Sequence, residues 1–208
     1  MPEIQPFELY SDIYDDWFVR NKNVYELELK AVKLLLPEKG NGLEIGVGSG
    51  KFALPLGIKT GVEPAKAMAD KARELGIKVI EGVAEELPFG DEEFEFVLFV
   101  TTICFVDDIE KSFKEARRVL KKTGSVIVGF VDRNSEMGKK YLAKKKKSRF
   151  YSSAIFYAAE EILERLSKTG FNDFKVVQTV LPENEKETLE NGFGKGSFVV
   201  IRGEKNKL

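Results

Sequence analysis

Short apolar runs alternate with stretches of helical periodicity through the middle of the chain. Three runs rich in apolar residues are predicted to be strands, and such runs are typical of strands buried on both faces of a sheet. They are Leu43–Val47, Phe94–Val100 and Ser125–Val131. Shorter strands are predicted to end at Gly61–Val62 and to cover Lys78–Ile80, and the helical segments between strands are Ala65–Leu75 and Ile109–Leu120. This alternation predicts a parallel sheet wound by right-handed crossovers, with ligands at the carboxyl ends of the strands.

The two ends of the chain follow other patterns. Helical spacing extends from Leu9 to Leu36 and stops at Pro37. The segments predicted after Val131 are a Lys-rich helix over Asn134–Phe150, an amphipathic helix over Ala158–Thr169, and strands over Phe174–Leu181 and Ser197–Arg202. A polar, Gly-containing link, Pro182–Gly196, joins these two strands, so we expect them to form an antiparallel hairpin.

Composition narrows the classes of function. The 208 residues carry 33 Lys and Arg against 34 Asp and Glu, and this net charge of −1 argues against a dedicated nucleic-acid binder. The chain has no histidine, which excludes imidazole as a base, nucleophile or metal ligand. The single cysteine, Cys104, excludes an internal disulfide framework and a metal site built on several cysteines. Because the chain has neither a membrane-span pattern nor a signal peptide, a cytoplasmic protein is expected.

A glycine-rich turn follows the first predicted strand. A strand, glycines and a helix together form a turn that lets a ligand approach the backbone, and both dinucleotides and S-adenosylmethionine (SAM) use it. A dinucleotide fingerprint that starts at Gly46 and Gly48 would need a third glycine at position 51, which is Lys51. The spacing present, with Gly50 as the third glycine, favours SAM. Glu44 lies inside the strand, where an unpaired carboxylate is costly, so it is a candidate partner for the ammonium group of SAM.

A second acid, Glu63, ends the next predicted strand. A carboxylate at this position can accept hydrogen bonds from both ribose hydroxyls of an adenosine. The alternative is that Glu63 only favours the start of a helix before Pro64.

Three segments resemble successive motifs of a known family. They are Leu43–Phe52, Gly61–Met68 and Gly82–Phe89, and they are similar to motifs of the class I SAM-dependent methyltransferases. The likeness is to the small-molecule branch related to the ubiquinone- and menaquinone-biosynthesis enzymes. It implies a Rossmann-like, doubly wound α/β fold. The implied sheet is seven-stranded and mostly parallel, with an antiparallel C-terminal hairpin and an N-terminal helical cap.

The resemblance also implies a set of cofactor-binding residues. These are Glu44, Gly46, Gly48, Ser49, Gly50, Glu63, Pro64, Met68, Ala84, Glu85 and Thr101. Glu44 and the glycine turn would hold the methionyl end and Glu63 the ribose, whereas Met68, Ala84 and Glu85 would lie near the adenine. The strand end that includes Thr101 would face the sulfonium. The family often has Asp where this chain has Val83, so a side-chain hydrogen bond from that position is not expected.

Other candidate chemistry has a simpler interpretation. Cys104 is not preceded by the proline that precedes the cysteine of the cytosine-C5 methyltransferases. We therefore favour the interpretation that Cys104 is a small core residue. Asp107 and Asp108 open a predicted helix and are expected to be caps, and no metal site is predicted. A hydroxyl or carbon acceptor would need a base, which in this chain falls to a carboxylate, Lys or Tyr. No particular catalytic residue is indicated.

Two segments could contact a substrate. The N-terminal segment carries Tyr10, Tyr14 and Trp17, and the resemblance implies that such a segment lies over the cofactor. Aromatic faces near a sulfonium are favourable, although these side chains could equally be core residues. The basic stretch from Lys139 to Arg149 has three interpretations: a solvated helix face, which we favour, a lid that attracts an acidic substrate, or an RNA contact.

The prediction for the whole chain is one methyltransferase domain over residues 1–208. Residues 1–38 are expected to cap the site, residues 39–132 to bind SAM, and residues 133–208 to supply the substrate side and the hairpin. The expected reaction is methyl transfer from SAM to a small molecule by in-line displacement, yielding S-adenosylhomocysteine, with a nitrogen, oxygen or carbon acceptor. The alternatives are a nicotinamide-dependent oxidoreductase and a non-catalytic SAM-binding regulator. No nucleic acid and no membrane span are expected, and the oligomeric state is left open.

Overall fold

Eight strands form a single sheet in the computed structural model, which describes residues 3–180 and 188–206. In chain order they are β1 (Gly42–Ile45), β2 (Thr60–Val62), β3 (Lys78–Ile80), β4 (Phe94–Val100), β5 (Leu120–Val131), β6 (Phe171–Val180), β7 (Thr188–Asn191) and β8 (Phe198–Lys205). Across the sheet the order is β3-β2-β1-β4-β5-β8-β6-β7. The chain winds to one side of β1 and then to the other, so β1 and β4 flank the switch point where such sheets bind ligands.

The first five strands are parallel to one another, as predicted. Alternate side chains of β4 enter two different cores: Val97 and Phe99 face one side of the sheet, and Leu98 and Val100 face the other. This explains why the strand is apolar at nearly every position. The first strand ends at Ile45, two residues before the predicted end, because the chain turns at the next residue with a positive φ.

The C-terminal part of the sheet is antiparallel. β8 pairs with both β5 and β6, so the predicted pairing of Phe174–Leu181 with Ser197–Arg202 is confirmed within the described residues; Leu181 lies outside them. The predicted count of seven strands was wrong. The segment Pro182–Gly196, expected to be a polar link, contains β7, which pairs with β6 at the edge of the sheet. Its sequence, Thr-Leu-Glu-Asn, is short and polar, as is common for an edge strand.

Helices cover both faces of the sheet. In chain order they are α1 (Gln5–Leu9), α2 (Ser11–Arg20), α3 (Lys22–Leu35), α4 (Ala53–Leu56), α5 (Lys66–Glu74), α6 (Ile109–Val119), α7 (Glu136–Lys144) and α8 (Ala159–Lys168). Apolar side chains of α2, α3, α4 and α5 pack in one core, and those of α6 and α8 pack in the other. The doubly wound α/β fold is therefore confirmed. None of the helices in the described ranges is long and apolar enough to cross a membrane.

The N-terminal region is three helices rather than the single helical stretch predicted from Leu9 to Leu36. The breaks fall at Tyr10 and Asn21, whose backbone angles are not helical. Asn21 ends α2 because its side-chain amide and its backbone N–H both donate hydrogen bonds to the carbonyl of Trp17. These breaks let α1 and α2 lie across the carboxyl end of the sheet while α3 packs against its face.

The Lys-rich segment is also less helical than predicted. α7 begins after Ser135, whose hydroxyl accepts a hydrogen bond from the N–H of Gly138 at 3.0 Å. It ends at Lys144, and one 3₁₀ turn, Lys145–Lys147, follows before the chain leaves helical geometry. Lys144 lies four residues after Lys140 and three before Lys147, and like charges at these spacings disfavour a continued helix. The exposed basic side chains are those of Lys139, Lys140, Lys144, Lys146, Lys147 and Arg149.

The α6 core gives the first prediction. Phe113 is fully buried and packs edge-on against Phe99, with 5.8 Å between the ring centroids. We expect Phe113→Ala to lower the free energy of unfolding by about 3–5 kcal/mol, because it removes buried apolar surface and leaves a cavity. Urea unfolding of both variants tests this, with Leu54→Ala as the control, since Leu54 is 47% exposed. Equal losses in the two variants would contradict the assigned core.

Candidate functional site

A cavity of about 670 Å³ opens at the carboxyl ends of β1, β2 and β4. The predicted residues that line it are Gly46, Gly48, Glu63, Pro64, Met68, Ala84, Glu85, Thr101 and Tyr14. Residues of the N-terminal segment complete the wall. The topology therefore brings together most of the residues predicted to bind the cofactor. We call this space the first cavity.

The glycines of the turn have three different roles. Gly46 has a φ of +68°, and a Cβ atom there would lie 2.4 Å from Cγ2 of Thr102, so a side chain cannot be accommodated. Gly48 has a φ of +54° and borders the first cavity beside Met68. Gly50 does not line the first cavity: its Cβ would lie 2.7 Å from Cδ1 of Ile77, so glycine there permits close packing. Gly50 therefore allows the turn to pack closely against Ile77.

Glu63 joins the turn to the end of β2. It is 7% exposed, and its carboxylate accepts hydrogen bonds from the N–H groups of Gly48 at 2.9 Å and Ala65 at 3.0 Å. Burial raises its pKa to about 7, although the two N–H groups oppose that rise. Each carboxylate oxygen retains a further lone pair. Glu63 is therefore more than a residue that favours a helix start, because it fixes the glycine turn.

Glu44 lies behind the turn, outside the first cavity. It is 2% exposed and lines a narrower cleft of about 240 Å³ together with Ser49. One side-chain oxygen, Oε2, is buried and has no hydrogen-bond partner among the described residues. Burial raises the pKa of this carboxyl well above its usual range, while a hydrogen bond from the N–H of Ala53 opposes the rise. An unsatisfied buried carboxylate is costly, so this cleft is suited to a cationic group.

The wall of the first cavity that Met68, Val83 and Ala84 form is apolar apart from Glu85. Met68 and Ala84 are buried there, and Val83 lines the wall where the family often has Asp. Oε1 of Glu85 accepts hydrogen bonds from the N–H groups of Asp107 at 2.7 Å and Asp108 at 3.1 Å. Glu85 thus holds the loop before α6, a connection that the sequence did not indicate. Its Oε2 is buried and has no hydrogen-bond partner within the described ranges.

Thr101 follows directly after β4 and has a φ of +52°, which is strained for a β-branched residue. Its backbone N–H donates to the carbonyl of Gly129 at 2.8 Å, which holds this conformation. Thr101 lines the first cavity and also a second cavity of about 1030 Å³ on its other side. Tyr14 lines both cavities as well and forms a side-chain hydrogen bond with Thr101. These two residues form the wall between the cavities.

The second cavity is lined mainly by aromatic rings. Its aromatic residues are Tyr14, Trp17, Phe18, Phe52, Tyr141, Phe150 and Tyr151. The predicted lid residues therefore separate: Tyr14 faces both cavities, Trp17 faces only the second, and Tyr10 lines neither. The ring of Tyr10 lies under the Arg149 guanidinium, 4.3 Å from ring centroid to Cζ. Tyr10 was predicted because the N-terminal segment resembles one that lies over the cofactor, but it is the C-cap residue between α1 and α2 and has non-helical backbone angles.

Several residues that shape the site were missed. Phe7 and Ile4 of the N-terminal segment line the first cavity, and Phe7 lies two helical turns before Tyr14, a spacing that could have indicated it. Glu8 accepts hydrogen bonds from the N–H groups of Lys66 and Ala67 and so caps α5. No local sequence pattern marks such a cap. The fourth residue, Glu28, is a carboxylate on the apolar face of α3, and that position was an available signal.

A carboxylate on α2 links the N-terminal helices to the glycine turn after β1. Asp15 accepts a hydrogen bond from the Ser49 hydroxyl at 2.5 Å, and it lies 3.4 Å from Nζ of Lys51 and 3.0 Å from Nζ of Lys71. Lys51, whose presence argued against a dinucleotide, therefore contributes to this attachment. The contact orients Ser49 away from the first cavity.

Two further expectations concern the loop after β4. Asp108 caps α6, as its side chain accepts a hydrogen bond from the N–H of Lys111 at 2.9 Å. Cys104, for which a core position was favoured, is half-buried, and burial raises the pKa of its thiol to about 12. Within residues 3–180 and 188–206, no group of three or more His, Cys, Asp or Glu side chains is arranged to hold a metal ion.

Comparison with known proteins agrees with this site. A family model described as a methyltransferase domain matches residues 43–128. An uncharacterized protein of Methanocaldococcus jannaschii is 46% identical over 202 residues, 96% of this chain and 98% of that one. A crystal structure from Thermotoga maritima, described as a SAM-dependent methyltransferase, possible histamine N-methyltransferase, is 50% identical with a TM-score of 0.94, and covers 98% of this chain and 100% of that one. A ubiquinone/menaquinone biosynthesis C-methyltransferase of Rickettsia prowazekii is 34% identical over 105 residues, 42% of each chain.

The fold, the glycine turn with its two buried acids, and these similarities define one class of protein. The chain belongs to the SAM-dependent methyltransferases. It is an enzyme of that class and its cofactor is SAM, as the resemblance of the three motifs implied. The likeness to the quinone-biosynthesis methyltransferases is confirmed as well.

The buried acids give a prediction for the cofactor-free protein. Burial raises the pKa of Glu63 to about 7 and of Glu28 to about 8, and it raises the pKa of Glu44 well above its usual range. Between pH 5 and 7 these groups are protonated in the folded state and ionised in the unfolded state. The folded state then binds more protons, so stability must fall as pH rises.

We expect the free energy of unfolding to fall by about 1 kcal/mol or more per pH unit over this window. Urea unfolding at pH 5, 6 and 7 measures it. Glu44→Gln should flatten the slope, because glutamine does not ionise, whereas Glu26→Gln at an exposed position should leave it unchanged. A wild-type stability that is constant or rises with pH would contradict the assigned burial.

Proposed function

We propose that this methyltransferase acts on a small-molecule acceptor and that the acceptor occupies the second cavity. The observation that carries the proposal is the shared wall: Thr101 and Tyr14 line both cavities. A cofactor in the first cavity and an acceptor in the second would meet there. In this proposal residues 1–38 cover the site, residues 39–132 bind SAM, and residues 133–208 supply the acceptor side.

The first cavity adjoins the cleft that contains Glu44, because Tyr14, Gly46 and Gly48 line both, and the chemistry of the two spaces together fits SAM. The unsatisfied oxygen of Glu44 suits the ammonium of the methionyl end, and the spare lone pairs of Glu63 suit the ribose hydroxyls. The contacts predicted for the adenine are likewise assigned from the chemistry of the side chains. Met68 and Ala84 offer an apolar surface for the adenine, with Glu85 at its edge.

SAM supplies a methyl group on a positively charged sulfur that leaves as an uncharged thioether. The residues of this chain therefore mainly have to align the reactants and exclude water. α1 and α2 cover the carboxyl end of the sheet, and the ring of Tyr14 can favour a cation next to it. Burial raises the pKa of Tyr14 further above its usual range, so its hydroxyl stays protonated and serves as a hydrogen-bond group.

The relatives support a small organic acceptor and point to different acceptor atoms. The Thermotoga maritima protein is described as a possible histamine N-methyltransferase, and the Rickettsia prowazekii enzyme as a ubiquinone/menaquinone biosynthesis C-methyltransferase. The aromatic lining of the second cavity suits a small organic molecule better than a polymer. The exposed basic stretch from Lys139 to Arg149 is then a solvated surface, which agrees with the near-neutral net charge.

Methyl transfer can be tested with labelled SAM. We expect label to pass to at least one small amine, phenol or carboxylate in a broad panel, with S-adenosylhomocysteine released in equal amount. Thr101→Val, which keeps the shape and removes the hydroxyl, should lower turnover without abolishing SAM binding. Cofactor binding with no transfer to any acceptor in the panel would favour the non-catalytic regulator instead.

The role of Glu63 gives a second prediction. Glu63→Ala removes the proposed ribose contacts and also the hydrogen bonds to Gly48 and Ala65. We expect affinity for S-adenosylhomocysteine to weaken by about 1–3 kcal/mol, which is roughly tenfold to a hundredfold. Calorimetric titration measures it. Glu81→Ala is the control, because Glu81 is exposed and makes only a 3.6 Å ion pair with Arg73. Equal affinities in both variants would leave Glu63 with only a structural role at the glycine turn.

A further inference from the structure

The second cavity contains a carboxylate that neither the fold nor the cofactor explains. Glu28 belongs to α3 and is 8% exposed, and its side chain borders the cavity. No described residue forms a hydrogen bond or an ion pair with it, and desolvation is the cause of its raised pKa. Its neighbours on the same helix face, Leu27 and Ala31, are ordinary core residues.

A leucine or methionine at this position would pack better on the buried face of α3 than Glu28 does. Burying a carboxylate without a partner costs several kcal/mol in effect, and the group avoids part of that cost by staying protonated. Packing alone therefore gives no reason for an acid here. A ligand that brings a positive charge would supply the missing partner.

The surroundings of Glu28 favour a cation over an anion. The ionisable groups that face the second cavity with it are Asp16 and Arg20 of α2, Tyr14, Tyr141 of α7 and Tyr151. Arg20 and Asp16 pair with each other at 3.1 Å and are both largely exposed, so the arginine is already neutralised at the mouth. The charge of Glu28 contributes to the raised pKa of Tyr141 and Tyr151, after burial as the larger cause. Inside the mouth, the described side chains carry no positive charge.

The aromatic lining adds a second attraction for a cation. Ring faces attract ammonium groups through their quadrupole, and this attraction grows when water is excluded. Tyr141 and Tyr151 stack with 5.3 Å between ring centroids, and Trp17 faces the same space. A carboxylate surrounded by aromatic rings is the arrangement that holds an organic ammonium group and its apolar body together.

We propose that the second cavity binds a small organic amine, with the Glu28 carboxylate as the counter-ion of its ammonium group and the aromatic rings around its apolar body. The proposal rests on the proposed function, because it names the class of acceptor that enters the cavity beside SAM. The ammonium nitrogen has no lone pair, so it can take the methyl group only after its proton has passed to the Glu28 carboxylate. Glu28 would touch the acceptor and determine specificity for amines. Neutral and acidic molecules of the same shape would leave the carboxylate unpaired.

Calorimetry on the protein saturated with S-adenosylhomocysteine tests the proposal. The probes are phenethylamine, histamine and 1,4-diaminobutane, each compared with the alcohol in which hydroxyl replaces the amine. We expect at least one amine to bind at least tenfold more tightly than its alcohol, because a charge-assisted pair is lost in the alcohol. Glu28→Gln should remove this preference. Glu26→Gln, an exposed acid on the same helix that pairs with Lys22, should keep it.

Proton release provides a readout that a merely structural role would not change. Burial raises the pKa of Glu28 to about 8, so the free protein holds it protonated at pH 7. An ammonium group that binds beside it must ionise it. We expect about one proton released per amine bound at pH 7, seen as a dependence of the binding heat on the ionisation enthalpy of the buffer, and none in Glu28→Gln.

The outcomes separate the two proposals. If S-adenosylhomocysteine binds but no amine is preferred over its alcohol, or if Glu28→Gln keeps the preference, the amine proposal is overturned and the proposed function stands. If S-adenosylhomocysteine itself does not bind to the wild-type protein, both fall. Unchanged binding of S-adenosylhomocysteine by Glu28→Gln shows that the variant is folded, so a lost amine preference in it supports the proposal.

Discussion

The carboxylates of Glu44 and Glu63 are buried at the ends of two neighbouring parallel strands, and neither forms an ion pair with a described residue. Parallel strands end at a common edge of the sheet, so two acids that are far apart in the sequence are brought together there. The burial of Glu63 costs less free energy because its carboxylate accepts hydrogen bonds from two backbone N–H groups. One of these bonds fixes the glycine turn. Glu44 retains an oxygen without a partner. The empty hydrogen-bonding capacity of these acids is what a cationic, hydroxyl-bearing cofactor such as SAM can satisfy.

The N-terminal helices depend on the same edge of the sheet. Asp15 reaches Ser49 and two lysines, and Glu8 caps α5, so both α1 and α2 are attached to elements that bear the cofactor site. Because these contacts hold the helices across the strand ends, Phe7 and Tyr14 become walls of the first cavity. Tyr14 then separates it from the second cavity together with Thr101. Local breaks at Tyr10 and Asn21 therefore decide where the two cavities adjoin.

The sequence was sufficient for the central part of the fold. The bounds of β4 could be predicted because its residues are apolar throughout, and the glycine turn could be recognised because its spacing reflects backbone geometry. The edge strand β7 could not, since Thr188–Asn191 has a polar composition and gains its pairing only from β6. The helix break at Asn21 was missed for a similar reason: α2 and α3 pack on the same core, so the helical period of their apolar residues continues across it. Tertiary contacts decided each of these features.

The residues of the candidate site likewise fall into those whose positions could be predicted from the sequence and those placed by tertiary contacts. Glu63 and the turn glycines were predictable, because a strand end determines where their backbone lies. Ser49 and Glu85 have side chains that bond to Asp15 and to the loop before α6, contacts between segments far apart in the chain. Sequence spacing carries no information about such pairs. Glu28 was open to prediction in principle, since a carboxylate on an apolar helix face is a local anomaly.

The central claim is that the turn after β1 binds a SAM-type ligand and not a dinucleotide. Titration of the purified protein with S-adenosylhomocysteine and separately with NADH by calorimetry measures this directly. The account predicts saturable binding of S-adenosylhomocysteine and no detectable binding of NADH. Binding of NADH without binding of S-adenosylhomocysteine would contradict it.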